Sequence, residues 1–474
     1  MYMNANRLGV LRSVRVSCAL AVAVTGNLIP SIGHAASSGS VALHWRVLTL
    51  PVAAAPASFS YAEPGIAIGP NGTALADAAT ANTGAPPTAW ISRDSGGSWA
   101  HGRDFDSTGA STGDADVAIG GDGYLYALNV AYNPNPPGQP ANPAIFVFRS
   151  RDGVSWKGPS SFPPPHGIDQ PDRPWLFVDP THPADVDVVN SEGGGNIVIW
   201  RSQDHGASFS GPGIVSAGAN SQAALALSSR PLFDPIAHKR IFMLYETVTQ
   251  AGLVATVQAG PPAYEFPMAQ LWLAVSTDAG ASWSNHLILD TSAMTGSPLQ
   301  GGTVGHLLVA SAVDARGNLY AAFSLRAAGA TETHVYLIHS TDHGVSWAAP
   351  AEVTTATRSN VMPALAVSHA GAAYLSWYGS TAADYRDTHA TWFEMFATTA
   401  TPLAAHPRFV VSQVSTAPAH VGGIDTAGNV GSNLGANWGL RDFQSIAVDG
   451  CGRPHPVWAV DDVRQATETA VPLG

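Results

Sequence analysis

The chain has 474 residues, of which only 12% are charged, with 48 Gly, 35 Pro and 13 Trp. So many turn formers and so few charges exclude a coiled coil or a charged helical bundle, and suit short strands joined by tight turns. The formal charge of −12, carried without basic runs, excludes nucleic acid and anionic membrane surfaces as natural partners.

Residues 1–36 read as a secretory signal. Arg7, Arg12 and Arg15 precede the apolar stretch CALAVAV, and the small-residue site GHAAS follows at 33–37, so cleavage is expected near Ala35 or Ala36. That apolar run is too short to span a bilayer, and no later stretch is long and apolar enough. A secreted or periplasmic protein without membrane insertion is therefore expected. Loss of Cys18 would leave Cys451 as the one cysteine, so packing rather than an internal disulfide should stabilise the fold.

Residues 37–474 read as one domain built on two interleaved repeats. The first is an apolar run, a turn rich in Asp, Asn or Gly, and a second apolar run. Copies start near 65, 116, 175, 231, 310, 364 and 445, which makes seven hairpins. The second is SRDSGGSW at 92–99, SRDGVSW at 150–156, SQDHGASF at 202–209, STDAGASW at 276–283 and STDHGVSW at 340–347. Each follows a third apolar strand, as in IVIWRS or VYLIHS. The unit is strand, turn, strand, loop, strand, Asp phrase, strand: a four-stranded blade. The sixth copy has an eroded phrase and the seventh lacks an outer strand, which VALHWRVLTL at 41–50 can supply. The fold class expected is an all-β propeller of seven blades, the last closed by the N-terminal strand; six blades plus an extra hairpin is the alternative.

The phrase Ser/Thr-x-Asp-x-Gly-x-Ser/Thr-Trp is similar to the Asp box, or bacterial neuraminidase repeat, of the sialidase superfamily, and the likeness covers nearly all of 37–474. The box itself reads as structural. Its Asp can accept bonds from turn amides, its Gly supplies positive φ, and its Trp covers the hairpin. Asp94, Asp152, Asp204, Asp278 and Asp342 would then sit at one end of their blades, away from any chemistry.

The opposite face carries the entries into the innermost strands, close to the axis. Those entries hold Glu63, then Asp114 and Asp116, Asp172-Arg173, Arg230, His306, Arg358 with Asn360, and Arg441-Asp442. The resemblance implies a carboxylate clamp of three arginines, for which Arg173, Arg230 and Arg441 are the candidates. It also implies an acid/base, for which Glu63, Asp114 and Asp172 stand ready, and a Tyr nucleophile assisted by Glu, for which Tyr378, Tyr385, Glu246 and Glu192 are available. Each arginine has a structural reading as well, pairing with a carboxylate of the next entry. Loops 132–143 and 247–268, with Tyr132, Tyr264 and Phe266, could wall a cleft.

No HExxH, phosphate loop or dinucleotide fingerprint occurs, so no cofactor and no catalytic metal are expected, with structural calcium as the one allowance. The function implied is a monomeric, sialidase-like glycoside hydrolase acting on terminal anionic sugars of a glycan. Two alternatives stand beside it: a non-catalytic glycan- or protein-binding propeller, and a lyase or hydrolase of uronic-acid polysaccharides.

Overall fold

Short apolar runs separated by Asp- and Gly-bearing turns pair with their sequence neighbours, and seven antiparallel sheets result. The computed structural model describes residues 43–473 apart from 52–60, 81–86, 106–110, 134–141, 163–170, 193–195, 217–222, 250–267, 269, 305–307, 354–355, 425–439, 441 and 462–465. Each sheet is a blade, and in six of the seven the strands run outward in chain order. In blade 1 they are Tyr61–Ile68, Ala74–Thr80, Thr88–Ser92 and Ala100–Asp104. The innermost strands of the next blades include Ser111–Ile119, Asp172–Val178, Ala223–Ser228, Ala310–Val313 and Ser359–Val367. Together they are the seven blades of a β-propeller. The one helical element among the described residues is a single 3₁₀ turn, Thr291–Ala293, and none of those residues forms a helix long and apolar enough to cross a membrane.

Blade 7 joins the two ends of the chain. Ser445–Val448, Pro454–Val460 and Ala466–Leu473 are followed outward by His44–Thr49, paired antiparallel with Ala466–Leu473. The C-terminal tail thus forms a full third strand and the N-terminal strand a fourth. The borrowed strand covers an edge that would otherwise expose unpaired amides. Trp45 seats it against blade 6, with ring centroids 4.7 Å from Phe396. Of the two cysteines, Cys451 lies in the turn between the first two strands of blade 7, and Cys18, with the signal segment expected at 1–36, lies outside the described residues.

Strands apolar on both faces bury both faces. Leu128 and Val130 of blade 2 pack with Leu176, Val186 and Val188 of blade 3, and similar clusters fill each gap between blades. The largest fully buried side chains include Trp90, Trp377, Trp392 and Trp458.

The Asp boxes close the third-to-fourth-strand turns. Asp278 Oδ1 accepts from the Ser282 amide at 2.9 Å and from the Ser276 hydroxyl at 2.8 Å. Trp283 Nε1 donates to the Gly280 carbonyl at 3.2 Å. The turn needs two left-handed residues in a row, Ala279 (φ 58°) and Gly280 (φ 86°), and His205-Gly206 and His343-Gly344 repeat the pattern. Hydroxyl and amide donors hold Asp278 and Asp342 down to about 2. The amides of Ser95, His205 and Ala279 donate to the hairpin turns of their own blades at Gly72, Ala184 and Lys239. The boxes therefore lie at the hairpin-turn end, and the strand entries lie at the other.

Candidate functional site at the axial mouth

Extra residues interrupt the innermost strands where they enter the ring. Pairing registers shift between Ala62 and Gly65, Thr112 and Ala115, Asp172 and Trp175, and Val361 and Ala364. Such bulges re-aim side chains out of the ladder. Three of them place a non-glycine residue in the left-handed region directly before a proline: Glu63 (φ 52°), Arg173 (φ 51°) and Met362 (φ 56°). That conformation is costly for a side chain with a Cβ and persists where surrounding contacts enforce it.

At Arg173 those contacts are charges. Its guanidinium pairs with Glu63 of blade 1 and with Asp442, which precedes blade 7. It lies 3.6 Å from Asp114 and 3.9 Å from Asp172. Its backbone amide donates to Asp114 Oδ2 at 2.8 Å. The Arg173 side chain is 7% exposed, and its carboxylate partners raise its pKa despite burial. One cation thus ties entries of four blades.

Asp172 stands at the rim of this group, with half of its side-chain surface accessible. Crowding by protein atoms is the largest cause raising its pKa. Arg173 opposes the rise, while the charge of Asp114 and a hydrogen bond shared with it add to it. That hydrogen bond joins Asp114 and Asp172 as one acidic pair.

A second ion pair lies beside the first. Arg230 binds Asp116 and donates to the Val117 carbonyl at 3.0 Å, while Asp116 Oδ2 accepts the Leu176 amide at 2.8 Å. Asp77 is the neighbour of Asp116, and its Oδ1 accepts from the Gly65 amide at 3.2 Å. A Cβ on Gly65 would lie 2.5 Å from that oxygen, so only glycine permits the approach. Burial pushes Asp116 up to about 6 against the pull of Arg230; burial and the charge of Asp116 push Asp77 well up.

An axial cavity of about 180 Å³ is walled in part by Trp175, Arg230, Leu308, Ser311, Phe443 and Gln444, and the ring of Phe443 lies 5.6 Å from Arg173 Cζ. Trp175 and Phe443 form its aromatic wall, with centroids 5.0 Å apart and planes at 55°. Arg230 Cζ stands 5.4 Å from the Trp175 ring. Trp175 is fixed by its Nε1–H bond to the Ser228 carbonyl at 2.7 Å.

Thus Glu63, Asp114, Asp172 and Arg173 are gathered at one mouth, and Arg230 is next to it on the cavity wall. Arg441 lies outside the described residues, as do His306, Tyr264, Phe266 and most of the two long loops. Tyr378 is wholly buried. Its hydroxyl donates to the Ala459 carbonyl at 3.2 Å and accepts the Ala459 amide at 2.9 Å, tying blade 6 to blade 7. The glutamate facing it across the strand pair is Glu394 rather than Glu246. Glu246 is buried in blade 4 without a hydrogen-bond partner for either carboxylate oxygen, and burial pushes it up to about 8. Glu192 is buried and rises to about 7 for the same reason. Sequence reasoning missed Asp77, Trp175, Phe443 and Gln444. The last three follow directly on entry residues already singled out, in DRPW and RDFQ. Among the described residues, no group of three or more His, Cys, Asp or Glu is arranged to hold a metal ion.

No protein-family model and no curated protein matches the chain. Solved structures do. A protein of unknown function from Dyadobacter fermentans is similar at 12% identity over 90% of this chain and 97% of its own, with a TM-score of 0.47. An α-L-arabinanase of Penicillium chrysogenum, solved with arabinobiose, is similar at 12% identity over 76% of this chain and 92% of its own, TM-score 0.45. The intramolecular trans-sialidase of Ruminococcus gnavus, solved with oseltamivir carboxylate, is similar at 11% identity over 87% of this chain and 94% of its own, TM-score 0.41. All three likenesses are distant.

Proposed function

We propose that the protein is an exported glycan-acting propeller that hydrolyses a terminal glycosidic bond at its axial mouth, with Asp172 as the proton donor. The carrying observation is Asp172, a half-accessible carboxyl raised by crowding and by Asp114, on the strand that also brings Trp175 to the aromatic wall of the cavity. A general acid must be protonated when it meets the leaving oxygen, and a carboxyl raised by crowding and a like charge meets that need nearer neutrality. Asp114 touches Asp172, so the two cannot flank a bond from opposite sides; they act as one donor unit.

The charge of the mouth bears on the substrate. Arg173 spends its guanidinium on carboxylates, and Arg230 is paired with Asp116. An uncharged terminal ring suits this balance better than the anionic sugar of a sialidase. A second reading, glycan binding without turnover, is favoured by the engagement of Arg173 and Tyr378 as blade ties. The test is release of fluorophore from a panel of neutral, sialic and uronic glycosides by wild-type protein and Asp172→Asn. Turnover lost in the variant supports the hydrolase; binding without turnover supports the second reading.

A further inference from the structure

Asp172 and Arg173 are adjacent in the chain, yet the first is half accessible and the second is 7% exposed. The bulge between Asp172 and Trp175 separates them. Asp172 stays in the ladder opposite Ser191, while Arg173 takes the left-handed conformation ahead of Pro174. Glu63 repeats that conformation ahead of Pro64, and its carboxylate pairs with the Arg173 guanidinium. Two costly bulges thus brace one ion pair. Asp442, buried just before blade 7, engages the same guanidinium through Oδ2, and its Oδ1 has no hydrogen-bond partner among the described residues.

One guanidinium therefore faces four carboxyl groups, those of Glu63, Asp114, Asp172 and Asp442, and full ionisation would set one positive charge against four negative ones. Arg230, the cation beside them, is held by Asp116 of blade 2. These are the charged groups that face Asp172 among the described residues. Three of the four carboxyl side chains are nearly closed to solvent, at 0% for Glu63, 9% for Asp114 and 4% for Asp442, so Asp172 is the one placed to exchange a proton. Arg173 is the charge that favours ionised Asp172, and Glu63 and Asp442 draw its guanidinium the other way.

We infer that Glu63 and Asp442 are positioning residues for Asp172: by engaging the Arg173 guanidinium they keep it from neutralising the Asp172 carboxyl, so that Asp172 keeps its proton. This rests on the hydrolase reading above for the use of that proton; the hold itself can be measured without turnover. Both residues act through Arg173.

The test follows the carboxyl carbon-13 signal of Asp172 against pH in protein labelled at aspartate, the signal being assigned by its absence from Asp172→Asn. In wild type its midpoint should lie above the ordinary carboxylate range. In Glu63→Gln and in Asp442→Asn it should fall by about one pH unit, as the released guanidinium turns to Asp172. On a glycoside that the protein cleaves, kcat at neutral pH should fall about tenfold with KM unchanged. Glu63→Asp and Asp442→Glu disturb packing but keep the charge, and should titrate like wild type. If Glu63→Gln does not fold, Asp442→Asn addresses the same guanidinium from the other side, and the wild-type midpoint decides by itself. A wild-type midpoint in the ordinary range overturns the inference. So does an unmoved midpoint in both charge-removing variants with a lower Tm, which would make the two carboxylates structural ties only. An equal fall in the charge-keeping variants overturns it as well, since access of water would then set the hold on the proton. A midpoint that falls as expected in a protein that cleaves no glycoside upholds the role of Glu63 and Asp442 and removes the hydrolase reading. Turnover with an unmoved midpoint removes their role and leaves that reading standing.

Discussion

Arg173 donates its backbone amide to Asp114 Oδ2 at 2.8 Å while its guanidinium pairs with Glu63 and Asp442, so one residue of blade 3 holds three other entries. Removing the cation leaves buried carboxylates facing one another. Arg173→Met is expected to lose about 3–5 kcal/mol of stability, the usual cost of breaking a buried pair from one side. Arg173→Lys should recover only part, because an ammonium cannot serve several carboxylates as a planar fork does. Urea denaturation of both variants checks this; a methionine variant as stable as wild type would contradict the tie.

Stability should respond to pH in a direction set by Glu246. Its carboxyl is raised from the ordinary 4.5 to about 8 by burial alone. Between those values the folded chain holds a proton that the unfolded chain has released, so stability falls as pH rises from about 4.5 toward 8. Asp116, raised to about 6, adds to the fall at its lower end. Glu246→Gln removes the dependence at that site. Its Tm should exceed that of wild type at pH 8 and match it near pH 4.5, as read by calorimetry at both values.

The Asp boxes titrate the other way. Asp204, Asp278 and Asp342 are held at about 2, so what they contribute is present above the ordinary carboxylate range and lost as pH falls through about 2. Asp278→Ala should lower Tm by a few degrees. Glycan binding should be unchanged, since the box lies at the hairpin-turn end of its blade. A lost affinity would place the boxes in the site after all.

Blade 7 is completed by a strand from the other end of the chain, His44–Thr49 against Ala466–Leu473. Deleting residues 41–50 uncovers that edge and removes Trp45 from Phe396. The shortened chain should melt roughly 10 °C lower and associate in size-exclusion chromatography. Unchanged melting would mean that the closure contributes nothing.

Blade order is legible in the sequence because each unit writes its own turn chemistry. The Ser-x-Asp phrase marks the third-to-fourth-strand turn wherever it stands, and the Asp or Gly of each first hairpin marks the other. Even the borrowed strand is legible, from a seventh copy that lacks its outer member. The left-handed residue before the glycine in four of the five boxes is not, since His205 and Ala279 share no chemistry; the turn forces φ on whichever residue stands there. The site is legible only in part. Arg173 and Arg230 stand out by position, but their type cannot say whether a ligand or a neighbouring carboxylate satisfies them. Asp77 reaches Asp116 only through the register that sets Gly65 opposite it. Tyr378 fits a nucleophile by composition, yet blade 7 closes over it.

The central claim is that Asp172 donates a proton to a glycan's leaving oxygen at the axial mouth. Turnover of the glycoside panel, measured against pH for wild type and Asp172→Asn, tests it most directly. The expected result is release from at least one neutral glycoside, a rate that declines as pH rises through the raised pKa of Asp172, and a loss of about 100-fold or more in the variant. Equal turnover by the two proteins, or none from either on every substrate, would contradict it.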